Sequence, residues 1–454
     1  MAFDTLSEPF EVLDPGAGRM EKFIIEGGQP LSGTIVPAGN KNAALPALAA
    51  TLLTEEEVVL RNVPRIRDVE TMIDLLRGLG ARAEWREDNV VVICAADVIL
   101  TEVDAELSEQ IRGSFLLAGP LLARFGKATM PPPGGDVIGR RRLDPHLDAF
   151  RALGAGVESD RSYRLSAPLG LRACDFFMDE PSVMATENAL MAAALTPGPT
   201  TIQNAASEPH VQDLARLLVK MGAKIDGIGS NVMTVQGRDK LSGAEHRICP
   251  DHIEVGSFMA LAAATGGDLR IRDAGIDDLH MIRRAFERVG LRCEADGPDL
   301  LVPPGQELAV KDDLGDAIPK IEDGPWPAFP ADLTSIALAL ATQATGTVLI
   351  FEKMFENRLF FVDKLVAMGA RITLCDPHRA IVSGPSRLHG ERVESPDIRA
   401  GMAILIAALA AEGRSEIGNI AQIDRGYERI DERLQDLGAQ ISRVATEQIP
   451  IAAL

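Results

Sequence analysis

The residues best suited to chemistry in this 454-residue chain lie between Pro131 and His146, in the run PPPGGDVIGRRRLDPH. Three prolines stiffen the approach, and two glycines permit backbone angles that other residues resist. A single carboxylate, Asp136, follows; then come Arg140, Arg141 and Arg142 in succession, and then Asp144 and His146. One acid on a glycine-hinged loop beside clustered guanidinium groups suits chemistry on a phosphorylated substrate held under a closing lid. The competing reading is a charged turn whose basic face is simply solvated.

Further candidates stand at the beginnings of apolar segments with helical character. Lys41 and Asn42 precede the first, and Arg112 opens the second. Ser182, Thr186 and Glu187 lead the third, Asp251 and Glu254 the fourth, Asp332 the fifth, and Asp397 and Arg399 the sixth. Helix capping accounts for Ser182, Asp251, Asp332 and Asp397 taken singly. It does not account for Lys41, Arg112 or Arg399, because the helix dipole disfavours a cation at that end unless an anion shares the site. Arg358 in FENR and Arg425 in IDRGYERI lie outside the helix faces. Neither GxxxxGK[ST] nor a GxGxxG after a strand occurs, which argues against nucleotide hydrolysis and nicotinamide chemistry.

The elements that must position these residues repeat. The six apolar segments are NAALPALAATLL, GSFLLAGPLLARF, ENALMAAALT, GSFMALAAATG, TSIALALATQATG and AGMAILIAALAAEG. A helix without a polar face must be buried on all sides. Each is followed by an amphipathic helix that ends at an LGA-like junction, with glycines at 80, 154, 222, 290, 369 and 438. Glycine is the expected residue just past a helix end, and an alternating strand follows each one. Six units in phase predict a repeat architecture of two three-unit globules with a cleft between them. The first globule spans residues 41–249, and the second spans residues 20–40 plus 250–454. Residues 1–19 are acidic and aperiodic and predict a disordered extension.

Composition narrows the function. A formal net charge of -20 argues against a nucleic-acid binder. Five cysteines without a CxxC pair fit a reducing cytosol, and the seven histidines show no metal-ligand spacing. No secretory signal is legible at the start, and the most apolar stretch, 400–413, is too short to span a bilayer.

The dispersed motifs GNKNAALPALAATLL, NVPRIRDVET, PGGDVIG, DPHL, SVMATEN, FPADLTS, MFENR, PDIRA and IDRGYERI together resemble those of the enolpyruvyl transferases, from about Lys22 to Val444. GNKN stands where the shikimate 3-phosphate branch would show a GSKS-type sequence. The resemblance implies an α/β fold of two domains (an inside-out α/β barrel), six repeated βαβαββ-type units, and buried parallel helices. It implies transfer of the enolpyruvyl group from phosphoenolpyruvate to UDP-N-acetylglucosamine in the cytoplasm, with no metal or organic cofactor. It offers no oligomeric state and no nucleic-acid or membrane partner. A paralogous transferase with another nucleotide or sugar-nucleotide acceptor, and a silent nucleotide-sugar-binding homologue, are the alternatives.

By position, the resemblance makes Asp136 the general acid and Asp332 the general base, with Lys41 and Arg425 also catalytic. Lys41, Asn42, Arg141, Arg399 and Arg425 would hold phosphoenolpyruvate. Asn42, Arg112, Arg141, Asp144, Ser182, Val183, Asp332, Met354 and Arg358 would hold the sugar nucleotide. Several positions depart from the family pattern. Asp136 stands where many members have Cys, and such a carboxylate should resist fosfomycin, the epoxide that alkylates the thiolate. IGRRRLDPH replaces IGxRPVDLH, so that Arg140 and Arg142 are additions. Glu180 stands where some members have Lys, Met184 replaces a common Gly, and LTS follows FPAD in place of MQA.

Overall fold

A computed structural model describes residues 21–445; the segment 1–19, expected to be disordered, lies outside the described residues. The Ala/Leu-rich segments form the helices Lys41–Ala50, Ala118–Phe125, Val183–Ala194, His252–Thr265, Thr334–Ala341 and Ile398–Ala410. Their lack of a polar face has the expected consequence. Every residue of Thr334–Ala341 is buried, and so are Ile398 to Leu409 and Ala185 to Ala194. In the second segment only Ala118–Phe125 is α-helical, while Arg112–Leu117 forms a 3-10 turn. Pro120 explains the break, because its ring would clash with the carbonyl four residues earlier in a continuous α-helix.

The buried helices divide between two separate apolar clusters. One draws on residues from Ala43 to Ile248. The other draws on Phe23 to Ile35 together with Ile253 to Ile441. Within the latter, His252–Thr265, Thr334–Ala341 and Ile398–Ala410 pack pairwise against one another.

Six small sheets cover these helices, five of four strands and one of three. The N-terminal strand Glu21–Gly27 lies between Gly413–Gly418 and Gln440–Ala445, antiparallel to both, with Phe23 opposite Ile417 and Arg443. Gly33–Ile35 runs parallel to Leu269–Ile271. The leading strand pair is thereby built into sheets formed by the chain after residue 250. Conversely, Glu245–Arg247 runs parallel to Val58–Arg61 and returns the chain to the sheet of the first unit.

The two segments that cross between the clusters lie side by side. Asn40 N donates to the Cys249 carbonyl at 2.8 Å, and Asp251 N donates to the Ala38 carbonyl at 2.9 Å.

All six junction glycines adopt positive φ, from 89° at Gly290 to 112° at Gly222. A side chain at Gly222 would meet nothing within 4 Å, so substitution there probes backbone conformation alone. Gly222→Ala is expected to destabilise the fold by about 1–2 kcal/mol, the cost of a left-handed L-residue, measured by urea unfolding. No change would mean that the junction relaxes. No helix among the described residues is long and apolar enough to cross a membrane.

Candidate active site

The capping expectations separate at the helix starts. Asp251 accepts from the backbone N–H groups of Ile253 and Glu254, and Asp397 accepts from those of Arg399 and Ala400. Ser182 occupies the cap position without a side-chain bond. The first helix is capped by Asn40, which leaves Lys41 and Asn42 in its first turn. Asp332 caps nothing; it sits in the 3-10 turn Ala331–Leu333 and faces two arginines.

A cavity of about 490 Å³ lies where these starts converge, walled by residues of both clusters. Lys41, Asn42, Arg112, Asp136, Arg141, Ser182, Val183, Asp332, Met354, Arg358, Arg399 and Arg425 all line it. Asp144 does not. It opens the Asp144–Ala152 helix, whose buried face is carried by Pro145, His146 and Leu147 instead. Its exposed carboxylate accepts from Arg142 Nε at 3.3 Å, which places it at the rim beside a residue of the lining.

Three carboxylates organise the cations. Asp68 receives Lys41 Nζ on Oδ2 and Arg425 Nε on Oδ1, each at 2.9 Å. Arg425 Nη1 also donates to Asp136 and to Gln422 Oε1. Asp332 receives Arg358 Nη2 at 2.8 Å and Arg399 Nε at 3.2 Å. Burial alone would raise the carboxyl of Asp68, but Lys41 and Arg425 outweigh it and hold the group below its ordinary range. Asp332 follows the same logic: Arg399, Arg358 and Lys41 overcome burial and hold it well below that range. Burial, with Arg141 nearby, lowers Arg112 to about 10. Arg141 is likewise lowered, chiefly by burial. Arg399 Nη1 is buried without a hydrogen-bond partner among the described residues. Crowded, partly desolvated cations of this kind favour anionic ligands.

The loop bearing Asp136 reaches across the cleft. Arg112 Nη2 donates to the Arg141 carbonyl at 2.6 Å, and Arg141 Nη2 donates to the Asp136 carbonyl at 2.7 Å. On the far side, Asn357 N donates to the Ile138 carbonyl at 3.0 Å, and Arg140 N donates to Glu356 Oε2 at 3.1 Å. The turn requires Gly135, whose φ is +94° and where a Cβ would come within 3.0 Å of Arg112. A lid over a cleft is therefore the better of the two sequence readings of this loop.

The EPSP synthase (3-phosphoshikimate 1-carboxyvinyltransferase) family matches residues 25–434. The chain belongs to this family. A UDP-N-acetylglucosamine 1-carboxyvinyltransferase of Bradyrhizobium diazoefficiens is 59% identical over 423 residues, 93% of this chain and 98% of the relative. One from Treponema denticola is 55% identical over 422 residues, 93% and 99% of the two chains. Among solved structures, the enolpyruvyl transferase NikO from Streptomyces tendae aligns with a TM-score of 0.83 at 26% identity, covering 95% of this chain and all of that one. An EPSP synthase from Acinetobacter baumannii shares the fold at a TM-score of 0.73 and 17% identity, covering 93% and 100%. The architecture is the enolpyruvyl transferase fold.

Against the family pattern, two departures meet in space. Arg142 Nη1 donates to Asp179 Oδ2 at 2.8 Å and to Glu180 Oε2 at 3.4 Å. Arg142, expected from the sequence to be an addition, thus offsets the charges of Asp179 and Glu180. Arg140 is held through its backbone N–H to Glu356, and nothing in the structure explains its guanidinium.

The sequence reading missed several lining residues: Asp68, Glu208, His210, His252 and Trp326. Glu187 was noticed only as a polar residue near a helix start. Asp68 lies within the motif NVPRIRDVET, but an acid in the first turn of Arg67–Leu79 reads as an ordinary partner of the helix dipole.

Proposed function

We propose that this chain transfers the enolpyruvyl group of phosphoenolpyruvate to the 3'-hydroxyl of UDP-N-acetylglucosamine and releases phosphate, the first committed step of peptidoglycan precursor synthesis in the cytoplasm. The observation that carries this reading is the 59% identity, over nearly the whole of both chains, to a relative of that name. The two apolar clusters support a division into domains of residues 41–249 and of 20–40 plus 250–454, with the reaction in the cleft between them.

The residue roles follow the family resemblance, and the charges in the lining support them. The phosphate of phosphoenolpyruvate belongs beside Lys41, Arg141 and Arg425, and its carboxylate beside Arg399, whose Nη1 has a donor to offer. Asn42, beside Lys41 in the lining, is placed by the same resemblance next to both substrates. The diphosphate and sugar of the acceptor extend past Arg112, Ser182, Val183, Met354 and Arg358. As these anions take up the guanidinium groups, the ion pairs that now hold Asp136 and Asp332 loosen. Asp332 then becomes basic enough to accept the acceptor's hydroxyl proton, and Asp136 can carry the proton it delivers.

The hydroxyl oxygen bonds to C2 of phosphoenolpyruvate while Asp136 protonates the C3 methylene, giving a tetrahedral intermediate. A proton then returns from the new methyl group to the Asp136 carboxylate, the C2–O bond to phosphate breaks, and the enol ether forms again. Asp332 loses its proton with the departing phosphate. Positioning two anions in a closed, dry cleft supplies much of the rate.

Phosphate release from phosphoenolpyruvate is expected to depend on UDP-N-acetylglucosamine and to be slow with other nucleotides and sugar nucleotides. Preference for another acceptor would overturn the substrate, and no turnover alongside tight nucleotide binding would indicate a silent homologue. Because Asp136 offers a carboxylate and not a thiolate, fosfomycin is expected to cause no time-dependent inactivation. Covalent labelling of Asp136 on an intact-mass spectrum would contradict this.

A further inference from the structure

Glu187 stands in the wall of the same cavity and has no part in the chemistry above. It lies in the second turn of Val183–Ala194 with 1% of its surface exposed, and its Oε1 has no hydrogen-bond partner among the described residues. Two neighbours in the lining share this condition. Glu208 accepts from Trp326 N on Oε1 at 3.3 Å, but its Oε2 is unpartnered, as is Nδ1 of His210. A buried polar atom left unpaired destabilises the fold, so three converging on one cavity point to a ligand.

The character of that ligand follows from what surrounds them. Burial, and then the charge of Glu208, push the Glu187 carboxyl well above the ordinary carboxylate range, and burial raises Glu208 as well. No cation appears among the groups that act on either carboxyl. His210 stacks on His252 with centroids 6.1 Å apart. Burial lowers these imidazoles to about 3 and about 4, which leaves both uncharged at neutral pH. This part of the wall is therefore polar, with its imidazoles uncharged and its carboxyls shifted toward the protonated form, whereas Lys41, Arg141, Arg399 and Arg425 supply the anion-binding part.

We propose that Glu187, with Glu208 and His210, forms a hydrogen-bonding subsite for the sugar hydroxyls of the acceptor, and that Glu187 is a specificity-determining residue there. The assignment rests on the sugar-nucleotide reading above. A neutral carboxyl group both donates and accepts, as a hydroxyl does. A phosphate finds no counter-charge here. Leu45, Leu116 and Trp326 in the same lining suit the C–H faces of a pyranose ring.

The test is steady-state kinetics of the full chain with UDP-N-acetylglucosamine and phosphoenolpyruvate, with thermal melting alongside. Glu187→Leu is expected to raise the acceptor KM about 5- to 30-fold, as for loss of a hydrogen bond to a buried group. The KM for phosphoenolpyruvate should hold, and the melting temperature should equal or exceed that of the parent protein, because an unpaired buried carboxyl has gone. Glu187→Gln, which keeps a neutral donor and acceptor, is expected to restore most of the acceptor affinity.

An unchanged acceptor KM in Glu187→Leu overturns the proposal. So does a parallel rise in both KM values with a lower melting temperature, which would mark a structural role. Equal losses in the Gln and Leu variants would show that an ionised carboxylate, suited to an ammonium group, is what the ligand meets. Absence of turnover by the parent protein with UDP-N-acetylglucosamine would overturn the acceptor reading and the sugar subsite together. Turnover by the parent with unaffected variants overturns the subsite alone.

Discussion

Asp136→Asn is expected to lower kcat about 10²- to 10⁴-fold, the range for loss of a positioned general acid, while substrate KM values change little. The amide keeps the size of the side chain and an oxygen to accept from Arg425, but it has no acidic proton to deliver to the C3 methylene. Near-normal turnover by Asp136→Asn would remove Asp136 from the proton-donor role.

Asp136→Cys supplies the complementary result. A free thiol titrates near 8.5, against about 3.9 for a free aspartate, so the thiol holds its proton at neutral pH without help from substrate anions. Turnover is expected to persist, the alkaline limb of the rate profile to move to higher pH, and time-dependent inactivation by fosfomycin to appear. If the alkaline limb stays in place, the group that limits the rate at high pH is not residue 136.

Asp332→Asn is expected to reduce kcat by a comparable factor of about 10²–10⁴, for a different electrostatic reason. The carboxylate serves two ion pairs, with Arg358 and Arg399, whose side chains are 3% and 5% exposed. In that arrangement it is a weak base. It gains basicity once the carboxylate of phosphoenolpyruvate takes up Arg399, so the acid limb of kcat should lie at higher pH than that of kcat/KM.

The folded state depresses this carboxyl. Its ion pairs therefore stabilise the protein fully above the unfolded value near 3.9, and that contribution is lost as pH falls through the lower folded value. Asp332→Asn should flatten the acid side of the stability profile, measured by thermal melting from about pH 5 down to about pH 2. An unchanged acid profile, or full activity, would mean that Arg358 and Arg399 are not coupled to proton transfer through Asp332.

The helix-start cations were legible because the dipole rule makes them anomalous. Lys41 and Arg399 both line the cavity, and both contact a carboxylate. What the rule could not reveal is which carboxylate. Asp68 is 357 residues from Arg425 in the chain and 2.9 Å from it in space. Nothing local marks it, because an acid near a helix start is commonplace. Glu187 was hidden differently: its position was noticed, but its isolation from any partner depends on the packing around it.

Asp144 was legible only through its family position. The structure places its carboxylate against Arg142, which lines the cavity. The added Arg142 and the acidic Glu180 were separate oddities in the sequence. Only the loop's path places them together and makes one offset the other.

By itself the sequence determined the repeat, because burial of six apolar helices and left-handed glycines at six helix ends are local consequences of residue type. It determined the reaction class as well, through motifs whose order and spacing span nearly the whole chain. Tertiary structure decided how the charges are apportioned: Asp68 between Lys41 and Arg425, Asp332 between Arg358 and Arg399, and Glu187 without a partner. The physical reason is that electrostatic energy depends on distance and burial, and both are set by contacts between segments hundreds of residues apart.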